Sequence, residues 1–189
     1  MKSSCAYSRN IARVSIQILC KFLGTIVWVL VLSFSHKNTD YLVAKAVLDA
    51  GLDVEVRELS ASTRTAREAA DALGCDVGAI ASSLLFLADG EPLLVMTSGA
   101  HRVDTDVLAV EVGANTIAMA NAARVREVTG QAIGGVAPVG HPAPVRTVVD
   151  GSLADHAVVW TAAGTPHTLM PMTYDDLLHL TGGEAVRVA

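Results

Sequence analysis

A mixed α+β fold is the class this sequence predicts, and three observations point to it. Two apolar runs of strand length, Ser83–Ala88 and Pro92–Thr97, are separated only by Asp89, Gly90 and Glu91, the composition of a tight turn, so they pair as an antiparallel hairpin. Other segments carry apolar residues at helical spacing, with capping residues in front and glycine behind. The two kinds of segment follow one another without regular βαβ spacing, which favours a mixed sheet with helices.

Taken in order, Tyr41–Ala50 sets Leu42, Val43, Ala46, Val47 and Ala50 at helical spacing, and Gly51 stops the helix. Leu52, Val54, Val56 and Leu59 then alternate with Asp53, Glu55 and Arg57, the pattern of a half-buried strand. Thr65 and Glu68 form a capping box, in which hydroxyl and carboxylate each satisfy an orphan N–H, and the helix they open ends at Gly74. Both hairpin strands read as buried on two faces. Asp104–Val112 is helical up to Gly113, Thr116–Met119 is a short strand, and Asn121 caps a helix that stops before Gly130. Val145–Val149 and Ala157–Ala162 read as strands. Thr173 with Asp176 opens a last helix ending at Gly182 and Gly183, and Ala185–Val188 is a final strand.

With 189 residues, 51% of them hydrophobic, the chain can bury one real core. Residues 1–40 hold five basic groups and one acid, leaving nine basic and 18 acidic residues in 41–189, a formal −9. A basic, apolar appendage thus precedes an acidic domain. Its uncharged stretch Phe22–Phe34 is 13 residues long, short for a membrane span, which needs about 20. It reads as a signal-peptide core, an anchor, or an upstream extension without a role, such as a mis-assigned start. The acidity of 41–189 excludes a protein that grips a long stretch of nucleic acid, because such binding draws on a basic surface that displaces counterions.

Several chemistries lack support. His101, His141, His156, His167 and His179 show no HxH, HExxH or CxxC spacing, so no metal is expected. There is no GxSxG elbow, no P-loop and no GxGxxG fingerprint, so neither a serine hydrolase nor a nucleotide cofactor is indicated. Cys75, after Gly74 at a helix end, reads as a small buried thiol and not a nucleophile.

What stands out is Thr129–His141, TGQAIGGVAPVGH, where glycine leaves backbone N–H groups uncovered for a ligand or a developing oxyanion. By spacing alone an ordinary glycine-rich turn is the competing reading. Around it lie SSLLF at Ser82–Phe86, SGAHRVD at Ser98–Asp104, AAGTPH at Ala162–His167 and LTGGE at Leu180–Glu184. These motifs, in this order, resemble the YbaK family, which includes the YbaK/EbsC-type free-standing relatives of the editing domain of bacterial prolyl-tRNA synthetase. The resemblance runs from about Tyr41 to Ala189. It implies a mixed, mainly antiparallel sheet curled into a barrel, with helices outside and a pocket at its mouth.

The resemblance also implies an activity: hydrolysis of the ester in a mischarged aminoacyl-tRNA, Ala-tRNA(Pro) or Cys-tRNA(Pro). The ribose hydroxyl beside the ester would activate water, with no protein base, metal or cofactor. The family's GxxxP element falls on Gly134 and Pro138, whose backbone would hold the aminoacyl group and the water, with Gly135 and Val136 lining the pocket. Gly164 and Thr165 would form the opposite wall. His141 is either a substrate contact or a cap on the loop, and His167 is either a site or a core residue. The implied partners are the tRNA acceptor end and prolyl-tRNA synthetase, and the implied location is the cytoplasm.

One position departs from the family. Many members carry a lysine before SLLF or SLVF that is thought to hold the tRNA end, whereas this chain has Ser82, and Lys45 is its only lysine after residue 40. A serine hydroxyl donates one hydrogen bond and no charge. The departure leaves open altered substrate choice, compensation by an arginine such as Arg102, or a non-catalytic module that binds an aminoacyl group or tRNA end. Arg102 otherwise reads as a surface ion-pair partner of Asp104 or Asp106.

Overall fold

The computed structural model describes residues 38–59 and 65–189; the expectations for the chain before Asn38 lie outside the described residues. Helix α1 (Asn38–Asp49) leads to strand β1 (Arg57–Glu58), helix α2 (Ala66–Leu73) and the hairpin β2 (Ile80–Ala88) and β3 (Glu91–Ser98). Helix α3 (Thr105–Val112), strand β4 (Ile117–Met119), helix α4 (Ala122–Thr129) and strand β5 (Arg146–Asp150) follow. Strands β6 (Val159–Ala162) and β7 (Thr168–Met172), helix α5 (Tyr174–Thr181) and strand β8 (Glu184–Val186) complete the unit, which is compact from Thr39 to Ala189.

The caps are where the side chains dictate them. Thr65 and Glu68 make the expected capping box on α2, Asn121 accepts from the Arg124 N–H on α4, and Thr173 with Asp176 caps α5. Asp104 turns its carboxylate onto the N–H groups of Asp106 and Val107. That carboxylate opens α3 and is no ion-pair partner for Arg102, which makes no salt bridge among the described residues.

All eight strands belong to one sheet, ordered β1-β7-β6-β2-β3-β5-β8, with β4 also on β2. Four pairings are antiparallel and three parallel. The α+β class holds, but the expected barrel does not: the path ends in β1 and β8, which do not pair with each other. The physical reason is length. Only Arg57 and Glu58 of the alternating segment 52–59 bond to β7, so the strand expected there is a two-residue edge. Strand β7, unassigned in the sequence, supplies that edge's partner.

Helices cover both faces of the sheet. Leu94 and Met96 of β3 point to one face, under Val43 and Val47 of α1, Val125 of α4 and Leu177 of α5. Leu93 and Val95 point to the other, under Leu108 and Val112 of α3. This two-sided cover makes β3 fully apolar from Leu93 to Met96. A third cluster packs Ala69 and Ala70 of α2 on Ile80, Trp160 and Leu169, with Cys75 against it, where burial pushes the thiol pKa up. The sequence reading fails for β2, which is half-exposed at Ser82–Leu84.

Asp150 ties the far end of the sheet together. Its buried carboxylate accepts from the N–H groups of Ser98 and Ser152, from the Ser152 hydroxyl, and from His101 Nδ1 at 2.8 Å. Burial pushes the carboxyl pKa up, but these donors outweigh it and hold it below the usual value. Asp150→Ala strands several donors at once, and a loss of about 3 kcal/mol in urea unfolding is expected. The native carboxylate's contribution is present above the unfolded value near 3.8 and is lost as pH falls through the lower folded pKa.

Candidate active site

Strand β2 has three neighbours, and that arrangement makes a notch. On one edge β3 pairs along its whole length. On the other edge β6 reaches only Ile80 and Ala81, while β4 starts at Phe86 and Ala120 adds a hydrogen bond to the Leu85 carbonyl. Between them, on that edge, none of the described residues pairs with Ser82, Ser83 or Leu84. A cleft of about 320 Å³ opens there, lined by Ile80–Leu85, the first turn of α2, Met119 and Ala120, Ile133, Gly134 and Val136, and Ala162, Thr165 and Leu169.

Four of the residues singled out in the sequence therefore line one cavity: Ser82, Gly134, Val136 and Thr165. Gly134 sits in a turn closed by the Gly135 N–H on the Ala132 carbonyl at 3.1 Å, with φ of 87° at its third position. A type II turn needs this backbone there, which an L side chain resists. Gly135 does not line the cleft but allows its two walls to touch. A Cβ on Gly135 would lie 2.6 Å from the Thr165 carbonyl carbon and 2.7 Å from the Pro166 nitrogen.

The remaining expectations fall elsewhere. Gly164 is buried in the facing loop, and Pro138 is buried and lines, with His141, a different depression on the other side of the loop. His141 Nε2 lies 3.0 Å from the Ala137 carbonyl, so the imidazole caps the loop. Burial lowers its pKa, against the pull of that carbonyl. His167 is exposed, and its carbonyl accepts from Leu59 while the Thr165 hydroxyl accepts from its N–H. Arg102 is not in the cleft lining, nor is any other arginine or lysine among the described residues. Among the described residues no three His, Cys, Asp or Glu side chains gather to hold a metal.

One residue was passed over in the sequence. Gln131 is 2% exposed, accepts from the Ala137 N–H at 2.6 Å and donates to the Val139 carbonyl at 3.3 Å, so a single amide staples the loop that carries Gly134 and Val136. A polar residue amid glycine and alanine was its only signal.

His141 gives this loop a pH response. An unfolded chain takes up a proton near pH 6.5 and the folded loop only at lower pH, so its share of stability is full above about 6.5 and falls as pH drops through the folded value. His141→Gln, which can still donate to Ala137, is expected to flatten the decline of the melting temperature between pH 7 and 5.

Comparison with known sequences and structures bears on what this cleft is for. The sequence profile of the aminoacyl-tRNA editing domain matches residues 60–180. The chain belongs to the aminoacyl-tRNA editing domain family. Proline–tRNA ligases are among its relatives: that of Bacillus licheniformis is 35% identical over 124 residues, 64% of this chain but 21% of the ligase. The ligase of Maridesulfovibrio salexigens is 34% identical over 95 residues, half of this chain and 15% of the ligase. This chain therefore spans only about a fifth or less of the length of these ligases. A solved structure described as a candidate trans-editing enzyme for prolyl tRNA synthetase is 40% identical, with a TM-score of 0.75, covering 82% of this chain and 98% of that one. The profile match takes in every cleft-lining residue.

Proposed function

We propose that this protein is a trans-editing deacylase that hydrolyses the ester between a small amino acid, alanine or cysteine, and proline tRNA. The observation that carries the reading is the composition of the cleft. It is small, its apolar walls include Ala81, Leu85, Ala120, Val125 and Val136, and among the described residues it offers hydroxyl and backbone groups and no histidine or cysteine. An ester with its own neighbouring hydroxyl suits such a site, because the base is brought by the substrate.

In this reading the aminoacyl group enters the notch beside Gly134 and Val136. The adjacent ribose hydroxyl orients a water whose oxygen attacks the ester carbonyl carbon. The ester C–O bond breaks, the leaving ribose oxygen receives the proton given up by the water, and free amino acid and intact tRNA result. Pro138 and Gln131 fix the loop, Ser82 lends a hydroxyl, and Thr165 closes the other wall. The similarity to a candidate trans-editing enzyme supports the choice of proline tRNA. The reading brings with it a cytoplasmic location and prolyl-tRNA synthetase as the source of mischarged substrate.

Ser82 favours a second reading, a module that binds an aminoacyl group or tRNA end without cleaving it. Ester loss from Ala-tRNA(Pro) separates the two. The editing reading expects the protein to accelerate it and Gly134→Ala to slow it by roughly tenfold or more, since forcing a side chain at positive φ costs about 1–3 kcal/mol. Wild-type rates in Gly134→Ala contradict the assignment. An inert parent that gains activity as Ser82→Lys supports the binding module.

A further inference from the structure

Among the described residues the notch leaves part of a strand edge unpaired, and its register identifies which groups. In an antiparallel ladder alternate residues turn their N–H and C=O to opposite edges. The Leu85 carbonyl accepts from Ala120, so Leu85 faces the β4 side and so, two residues back, does Ser83, while Ser82 and Leu84 face β3. Neither β4 nor β6 extends to Ser83, whose backbone donor and acceptor thus open into the cleft. Its hydroxyl is engaged with the Met96 sulfur at 3.2 Å and does not fill the gap.

An aminoacyl ester is chemically one residue of a peptide: an ammonium and a carbonyl oxygen separated by one Cα. We propose that the aminoacyl group docks on this edge as a one-residue antiparallel strand, the Ser83 N–H donating to the ester carbonyl oxygen and the Ser83 C=O accepting from the α-ammonium. This inference rests on the editing reading for its substrate. Residues directly opposite in an antiparallel pair send their side chains to the same face. An L-side chain therefore projects to the face shared by Ala81 and Leu85, where Val136, Ala120 and Val125 complete a small apolar wall. A donor already aimed at the carbonyl oxygen also stabilises the negative charge that builds there during attack. Two features thereby acquire one cause: the sheet is interrupted at Ser83, and the interruption is walled by small apolar side chains.

Two measurements test this. Ser83→Pro removes the one N–H while leaving the β3 ladder intact, and proline is tolerated where a strand N–H faces outward. The variant is expected to fold and to cleave Ala-tRNA(Pro) at least about a hundredfold more slowly, the loss typical of one oxyanion donor. A folded Ser83→Pro with the parent's rate overturns the inference and leaves the editing reading standing. The second measurement is independent of turnover and of how the variant folds. The full chain is titrated with 3′-deoxy-3′-(L-alanylamino)adenosine, an amide-linked, uncleavable analogue, while backbone amide resonances are followed. The Ser83 amide is expected to shift downfield and exchange more slowly. Shifts at Val136 and Thr165 without one at Ser83, or no binding at millimolar analogue, overturn the edge contact. If the parent cleaves no aminoacyl-tRNA but the Ser83 amide responds, the edge site stands and the catalytic reading fails.

Discussion

Gly135→Ala is expected to lower deacylation about a hundredfold or more, the scale associated with a displacement of about 1 Å in a catalytic site. The added methyl meets backbone, the Thr165 carbonyl carbon at 2.6 Å and its Cα at 2.8 Å, so no side-chain rotation relieves it. The loop bearing Gly134 and Val136 must separate from the loop bearing Thr165, and both line the same cleft. Stability falls as well, because Gly135, Val136 and Ala137 are buried. The specific signature is a rate lost far beyond the fraction of protein unfolded, measured by single-turnover ester loss beside circular dichroism of the same sample. A rate within threefold of the parent means that the two loops do not form one site.

Gln131→Leu should produce a large stability loss in the site. It preserves approximate volume and removes both bonds that staple the loop, leaving the fully buried Ala137 N–H and the Val139 carbonyl without partners. An unsatisfied buried group costs about 1–3 kcal/mol, so a loss of about 3 kcal/mol is expected in denaturant unfolding. Gln131→Glu retains the acceptor for Ala137 but buries a carboxylate against the Val139 carbonyl, so at neutral pH its loss should be at least as large, and it should shrink at low pH, where a protonated carboxyl can donate to Val139 as the amide does. A Gln131→Glu loss that does not change with pH would mean that this side chain does not face the two loop groups.

Capping and turn chemistry made most of the fold legible. Thr65 with Glu68, Asn121 and Thr173 with Asp176 mark helix starts because the orphan N–H groups need those oxygens, and Asp89 with Gly90 marks the hairpin. Strand β7 was not assigned, since Thr168–Met172 is short and carries a proline at its fourth position, which argues against a strand from sequence alone. The extent of pairing was equally hidden. Alternation at 52–59 gives a facing pattern but not a partner, and only two residues found one. Sheet closure depends on such partners, which is why the barrel expected from resemblance is an open sheet here.

At the site, resemblance to the family singled out Gly134 and Val136, and both line the cleft. Ser82 on β2 and Thr165 in the loop after β6 join them through motifs far apart in the sequence. The loop cap is one of the two readings the sequence offers for His141, whereas the stapling by Gln131 and the notch at Ser83 arise from how segments meet. The Gln131 bonds lie within one loop but depend on how that loop folds, and the notch depends on where β4 and β6 stop, so neither leaves much trace in local composition.

The most direct test follows ester loss from proline tRNA charged separately with alanine, cysteine and proline, with the full-length protein and with no protein. The account predicts faster loss of a mischarged species, alanyl or cysteinyl, while prolyl-tRNA persists at the uncatalysed rate. No acceleration of any of the three, or equal acceleration of all, contradicts it.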